Sequence, residues 1–252
     1  MSLPLPILSR PTRVYPRIPK SRSIIEQHPP YSLILDGITG SGSIPDAPSQ
    51  RGMAALSLQV WWKAKAWTPQ YYAIIAKFPY SGQRYYMLGY VTGGQLYFYI
   101  HDNGSGQQGL GLANPTLNIW HNIACLFQGS AYMSIFLDSV QKSSAGTSLT
   151  SINNSSSGSQ PLALGHYDTY YANGAIGGVL IYNRALSPAE IHFNMRNPMT
   201  PILNGLVLFL PLIEGSGLSV KDYSGQNNNV ALNSTGVQWN NLALDEMLAD
   251  VV

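Results

Sequence analysis

The sequence predicts an all-β protein, a sandwich of two antiparallel sheets, on three observations. From Tyr31 onward, short apolar runs alternate with polar residues at the spacing of an antiparallel sandwich, punctuated by Gly, Ser, Asn and Pro. Glycine pairs and Gly-Ser steps fall between adjacent runs, where tight hairpin turns need a positive φ. Helical signals are nearly absent, and 252 residues suffice to bury one large β core.

Residues 1–30 stand apart. Proline at positions 4, 6, 11, 16, 19, 29 and 30 removes backbone donors and favours extended structure, so this stretch reads as an arm. Arg10, Arg13, Arg17, Lys20 and Arg22 carry five of the fourteen basic charges, so the net charge of +2 belongs to the arm and the remaining chain is slightly acidic. Such an arm can neutralise a few phosphates, but without a basic face nucleic acid is not an expected partner. The opening "MSLPLPILSRP" lacks the basic n-region of a signal peptide, and no apolar window reaches membrane-spanning length. Only 10% of residues are charged while 45% are hydrophobic, so solubility rests on Ser, Asn, Gln, Gly and Thr. The single Cys125 sits in the apolar run "IACLF", which excludes a disulfide framework.

The strands follow in order. In "LSLQVWWKAKAW", Leu56, Leu58, Val60 and Trp62 share one face, with Ser57, Gln59, Trp61 and Lys63 opposite, because strand side chains alternate. "YYMLGYVTGGQLYFYI" makes a hairpin through Thr92-Gly93-Gly94-Gln95. "NIWHNIACLFQGSAYMSIFLDSVQ" makes another through Gln128-Gly129-Ser130, with Met133, Ile135 and Leu137 alternating against Tyr132, Ser134 and Phe136. "DNGSGQQGLG" (102–111) reads as a flexible loop, and "PLALGHY" with "GAIGGVLIYN" as a further strand pair. The predicted helix is "LSPAEIHF", where Ser187 caps, Pro188 opens and Glu190 completes a capping box. Residues 198–240 begin a strand again at "LVLFLPLIEGSGLSVKDYSGQNNN" (206–229), and residues 241–252 form an acidic tail.

Taken in order, "SLILDGITGSGSI", "LSLQVWWKAKAW", "WHNIACLFQGSAYMSIFLDS" and "GAIGGVLIYNRALSPAEI" resemble the laminin-G-like domains of the concanavalin A-like jelly-roll superfamily, over about residues 31–195 of a sandwich domain read as 31–197. The strongest pieces are Trp120-His121, Leu137-Asp138 and Ile181 to Ser187. The resemblance implies two curved antiparallel sheets and roles in glycan binding, adhesion and protein contact. Two departures stand out: Gly177-Gly178 occupies positions where the family commonly has acidic residues, and Ser139 replaces a turn glycine. Segment 206–229 resembles the family's opening strand and loop, displaced to the end of the chain. It either folds back into its own sandwich or is donated to a neighbouring copy.

Catalytic signals are thin. A jelly-roll glycoside hydrolase would carry paired carboxylates on one strand face, and no Glu-x-Asp-x-Glu run exists; the adjacent Asp245-Glu246 lies in the tail. The histidines 28, 101, 121, 166 and 192 lack metal-ligand spacing, and no Gly-x-Ser-x-Gly elbow places a nucleophile. The "GSG" at 215–217 lacks the Lys-Ser/Thr pair of a phosphate loop. No cofactor is required. Calcium is the metal that the oxygen ligands of Asp36, Asp102, Asp138 and Asp168 would suit. Sugar-binding candidates combine an aromatic ring with a polar neighbour: Trp67, Tyr71, Tyr72, Asn103, Tyr167, Asp168, Tyr170 and Tyr171.

The expectation is a non-enzymatic structural and recognition protein, a virus-particle component whose arm (1–30) and segment 206–229 contact other copies or other virion proteins. The alternative is a glycan-binding adhesin of a cell surface, extracellular in location, with a glycoside hydrolase as a distant third.

Overall fold

The computed structural model describes residues 29–67, 71–78, 84–91, 94–104, 106–155, 160–242 and 247. The arm, apart from Pro29 and Pro30, and most of the acidic tail lie outside these residues. In chain order the strands are β1 (Tyr31–Asp36), β2 (Gly42–Ile44), β3 (Ala55–Ala64), β4 (Tyr72–Lys77), β5 (Tyr86–Val91), β6 (Gln95–His101), β7 (Gln107–Ala113), β8 (His121–Gln128) and β9 (Tyr132–Leu137). They continue with β10 (Val140–Gly146), β11 (Leu162–Leu164), β12 (His166–Tyr167), β13 (Tyr170–Tyr171) and β14 (Asn173–Tyr182). After helix α1 (Pro188–Arg196) come β15 (Leu206–Leu210), β16 (Ser219–Val220), β17 (Val230–Leu232) and β18 (Val237–Asn241).

Two antiparallel sheets face each other. The first runs β10-β9-β8-β3-β14-β1-β18, and the second β16-β17-β2-β11-β4-β5-β6-β7. Between them lies the main core, where Leu56, Leu58, Val60 and Trp62 of β3 meet Tyr72, Ile74, Tyr86, Leu88, Leu96, Phe98 and Ile100 of the second sheet. The alternation predicted for β3 is therefore the observed one. The "PLALGHY" and "GAIGGVLIYN" runs are both strands but not partners: β11 pairs with β2 and β4, whereas β14 pairs with β1, β3 and β15. Residues 102–111, expected as a loop, turn at Asp102–Gly106 and then form the first half of β7 along β6.

The outer face of the first sheet is covered. Helix α1 begins with the predicted capping box, the Ser187 hydroxyl accepting from Glu190 N while Glu190 Oε2 accepts from Ser187 N. Its Ile191 packs with Leu126, Phe136, Leu180, Tyr182 and Phe209 on that face. Polar residues there are matched as well: Gln59 Nε2 donates to Asn122 Oδ1 at 2.7 Å and to Ile191 O at 3.0 Å, and Asn194 Nδ2 donates to Tyr182 OH at 3.0 Å. Every buried polar group of this layer that is left unpaired would cost on the order of 1–3 kcal/mol.

Segment 206–229 docks in its own sandwich. β15 pairs with the second half of β14 (Val179↔Leu210, Leu180↔Phe209, Ile181↔Leu208), on the edge whose first half β1 occupies (Leu33↔Ile176 to Asp36↔Asn173). The buried Asp222 carboxylate anchors the following loop by accepting from Phe209 N, Ser224 N, Ser224 Oγ and Asn228 N at 2.8–3.0 Å. β16 and β17 then extend the second sheet beyond β2, and β18 returns to the first beside β1. Of the two alternatives for segment 206–229, the structure has the fold-back: Val207, Leu208, Leu210 and Leu212 pack in the chain's own core.

Candidate functional site

Among the described residues, helix α1 lies over the first sheet, and the outer face of the second carries only the short β12–β13 hairpin. Along β6 the residues Leu96, Phe98 and Ile100 point inward and are fully buried, so Tyr97, Tyr99 and His101 share the outward face half-buried. The Tyr97 and Tyr99 rings are near-parallel, 18° between planes and 5.3 Å between centroids. They lie over Gly111 and Gly109 of β7: a Cβ on Gly109 would strike the Tyr99 ring, and one on Gly111 would strike Gln95 Oε1 and come 3.2 Å from the Tyr97 ring. Beneath and beside them Ala73, Ala76, Phe78 and Met87 form a small apolar cluster that Tyr99 and Tyr167 cover.

The β12–β13 hairpin rises at the β4 side. Its Gly165 N donates to Ile74 O at 2.9 Å, and its turn passes through Asp168 at a φ of 55°. Phe78 sits 5.8 Å from Tyr167, 6.1 Å from Tyr99 and 4.8 Å from His101, and the Arg84 guanidinium lies 5.2 Å over Phe78. Tyr71 and Tyr170, each more than a third exposed, meet at 6.0 Å, and Tyr171 stacks on His166 at 5.7 Å. Burial and the neighbouring Arg84 push the His101 imidazole down to about 4, and burial lowers His166 too. Tyr99 is raised by burial and by Tyr97 and Tyr71 beside it, so all these groups are neutral at neutral pH.

Four expected sugar-contact residues, Tyr71, Tyr167, Tyr170 and Tyr171, belong to this face, and Asp168 turns the hairpin that carries three of them. Tyr72 is a correction: it is fully buried, stacked on Tyr90 at 5.6 Å, with its hydroxyl donating to Ala66 O. Trp67 packs on Tyr90 against the main core, away from the outer face. Asn103 accepts from Asn154 N, tying two loops together. Phe78, Tyr97, Tyr99, His101 and His166 were not among the expected residues. The alternation in "QLYFYIH" is the signal that places Tyr97, Tyr99 and His101 together.

The four aspartates expected as calcium ligands stand on separate loops. Asp36 accepts from Ile38 N, Thr39 N and Gly40 N, and Asp102 from Gly104 N and Gly106 N. Asp138 holds His121 Nδ1 at 2.7 Å and accepts from Asn122 N, while the Asp168 carbonyl lies 3.3 Å from His166 Nδ1. Among the described residues no group of three or more His, Cys, Asp or Glu could hold a metal ion. At Gly177 an added Cβ would come 2.9 Å from Met247 Cε and 3.1 Å from the Trp120 ring. A second buried polar cluster, at the end of β4, joins Lys77 Nζ to Asp46 Oδ1 and Gln160 O at 2.5 Å, with Arg51 3.4 Å from Asp46.

A family model of the concanavalin A-like lectin/glucanases superfamily, of laminin-G type, matches residues 36–192. The chain belongs to this laminin-G-like family. A sequence search of curated proteins finds no match. Among solved structures, a putative carbohydrate binding protein from Bacteroides ovatus superposes with a TM-score of 0.63 at 12% identity, covering 84% of this chain and 60% of that one. The laminin-G-like chain thus spans less than two thirds of that structure's length. A heptameric SAP-like pentraxin from Limulus polyphemus superposes with a TM-score of 0.53 at 12% identity, covering 82% of this chain and 95% of that one. At these identities the likeness is one of fold. No helix among the described residues is long and apolar enough to cross a membrane.

Proposed function

We propose that this laminin-G-like chain is a non-enzymatic recognition module that binds carbohydrate on the aromatic outer face of its second sheet, at an extracellular or particle surface. One observation carries the reading: Tyr71, Tyr97, Tyr99, Tyr167 and Tyr170 gather on the outer face of the second sheet, where among the described residues only the β12–β13 hairpin rises. An aromatic ring offers a sugar an apolar surface while its hydroxyl satisfies a polar neighbour, so a tyrosine-rich face suits a ligand that is apolar on its ring faces and polar at its edges. The fold shared with a putative carbohydrate binding protein supports it. So does the engagement of the Asp36, Asp102 and Asp138 carboxylates with backbone N–H groups, which gives them structural work rather than acid–base work.

The test is a glycan array probed with the intact chain and with Tyr167→Ala and Tyr170→Ala, with and without chelator. Binding that chelator leaves intact and the variants weaken is the expected result. No binding to any glycan, or binding that the variants leave untouched, contradicts it. A role as a virus-particle component is the second part of the proposal, supported by the concentration of basic residues and prolines in residues 1–30. Mass photometry of the full chain and of one lacking residues 1–28 checks it, assembly being expected only for the former.

A further inference from the structure

We propose that the Lys77–Asp46 contact is the reactant state of a modification: the lysine amine and the aspartate carboxylate condense to an amide, a cross-link that the folded chain makes for itself inside the second sheet. Lys77 is fully buried at the end of β4, and its Nζ has three oxygens around it, Asp46 Oδ1 and Gln160 O at 2.5 Å and Gln50 Oε1 at 3.4 Å. With Nζ so close to one carboxylate oxygen, the carbon that bears it lies within about 3–3.5 Å, the separation of a near-attack pair. The Arg51 guanidinium is 3.4 Å from Asp46 Oδ2, beside the oxygen that gains charge as this carbon becomes tetrahedral.

The step balances within the pair. Nζ bonds to Asp46 Cγ, the Cγ–Oδ1 bond breaks, and the departing oxygen leaves as water with two of the three ammonium protons. The first proton passes along the Nζ–Oδ1 hydrogen bond and frees the lone pair that attacks. Burial pushes the Lys77 ammonium below its ordinary range and favours that transfer, while the hydrogen bond to Asp46 opposes it. A buried ion pair carries the desolvation penalty of two charges, and a neutral amide does not. Fixed geometry replaces a chance encounter with an effective concentration on the order of 10⁵–10⁸ M.

The bond braces the sheet. Asp46 follows β2 and Lys77 ends β4, and β11 pairs with both strands from between them, so the amide spans three strands. Cys125 is the only cysteine, so a disulfide within the chain cannot serve instead.

Intact mass tests this, measured on the full chain denatured after purification and after incubation until the mass is constant. A deficit of about 18 Da against the sequence is expected, with a branched peptide in protease digests that joins the segments holding Asp46 and Lys77. Lys77→Arg keeps the cation but presents no amine to condense, so Lys77→Arg, Lys77→Met and Asp46→Ala should all show the full mass. Since none of the three forms the bond, stabilities compared among them report the charge pair alone. A full mass for the intact chain overturns the inference, whether or not the variants fold. So does a deficit that Lys77→Arg retains, which is dehydration elsewhere in the chain, and so does a loss of about 17 Da, which is ammonia leaving Gln50.

Discussion

The Tyr99 ring occupies the space that a Cβ on Gly109, its partner across β6 and β7, would take. Glycine weakens a strand by entropy and by having nothing to pack, and an aromatic ring laid over it from the neighbouring strand restores that packing. Gly109→Ala should push the Tyr99 ring aside at little cost to the fold. Stability should change by less than about 1 kcal/mol, whereas binding on the glycan array should drop several-fold. Melting curves and the array on the same preparation check this, and unchanged binding would show that the orientation of the Tyr99 ring is irrelevant to it.

Asp222 is the anchor of the C-terminal segment. Replacing it with alanine leaves Phe209 N, Ser224 N and Asn228 N without their acceptor in a buried loop. A loss of about 3 kcal/mol or more is expected in urea unfolding, since each unsatisfied buried donor costs on the order of 1–3 kcal/mol. A loss below about 1 kcal/mol would mean that water reaches the loop.

The Lys77–Asp46 pair should respond asymmetrically. Asp46→Ala strands a fully buried ammonium, whereas Lys77→Met leaves Asp46 paired with Arg51 and fills the space with apolar atoms. Breaking a buried pair from one side costs about 3–5 kcal/mol, while an apolar replacement is often nearly neutral. Urea midpoints should therefore fall much further for Asp46→Ala than for Lys77→Met, and the reverse order would place the stabilisation in the lysine itself.

Acid should loosen the fold before it protonates the carboxylates. His101 is held down to about 4, and His166 is lowered, against an ordinary value of 6.5, so the unfolded chain takes up protons that the folded chain refuses. Stability is then full above about pH 6.5 and is lost as pH falls toward about 4. The groups facing His101 are Arg84, which adds to the depression, and Asp102, which opposes it. Glu190, held down to about 2 mainly by its hydrogen bonds to Arg184, adds a loss of its own only below its ordinary 4.5. Melting temperatures between about pH 7.5 and 5 should decline, and His101→Asn should flatten the decline.

Much of this arrangement is legible in the chain. Alternation in Leu56–Trp62 and the Ser187-Pro188-Glu190 cap are local signals, and local signals survive tertiary context. β7 was hidden because "GQQGLG" carries turn residues, and its glycines make sense only beneath the rings of a strand that closes on it from across a hairpin. Tyr72 misleads for a related reason. Tyr71 and Tyr72 look alike in sequence, but strand alternation sends one to the surface and the other into the core, where its hydroxyl finds Ala66 O. The engagement of Asp36 and Asp102 is local and that of Asp138 reaches across the β8–β9 hairpin, yet all are silent in sequence, since an aspartate that closes a turn or holds a histidine reads like one awaiting a metal.

The shared edge of β14 also sets a schedule for synthesis. Residues 173–176 find their partner in β1, already made, but residues 179–182 wait for residues 206–210. During translation half of one edge of a central apolar strand stays unpaired until residues 206–210 leave the ribosome, and an unpaired edge is a template for the wrong neighbour. The capping-box helix follows β14 directly and lays Ile191 over the outer face of the same sheet, so it can shield that face while the edge waits. Pairing of β15 then closes the second half of that edge.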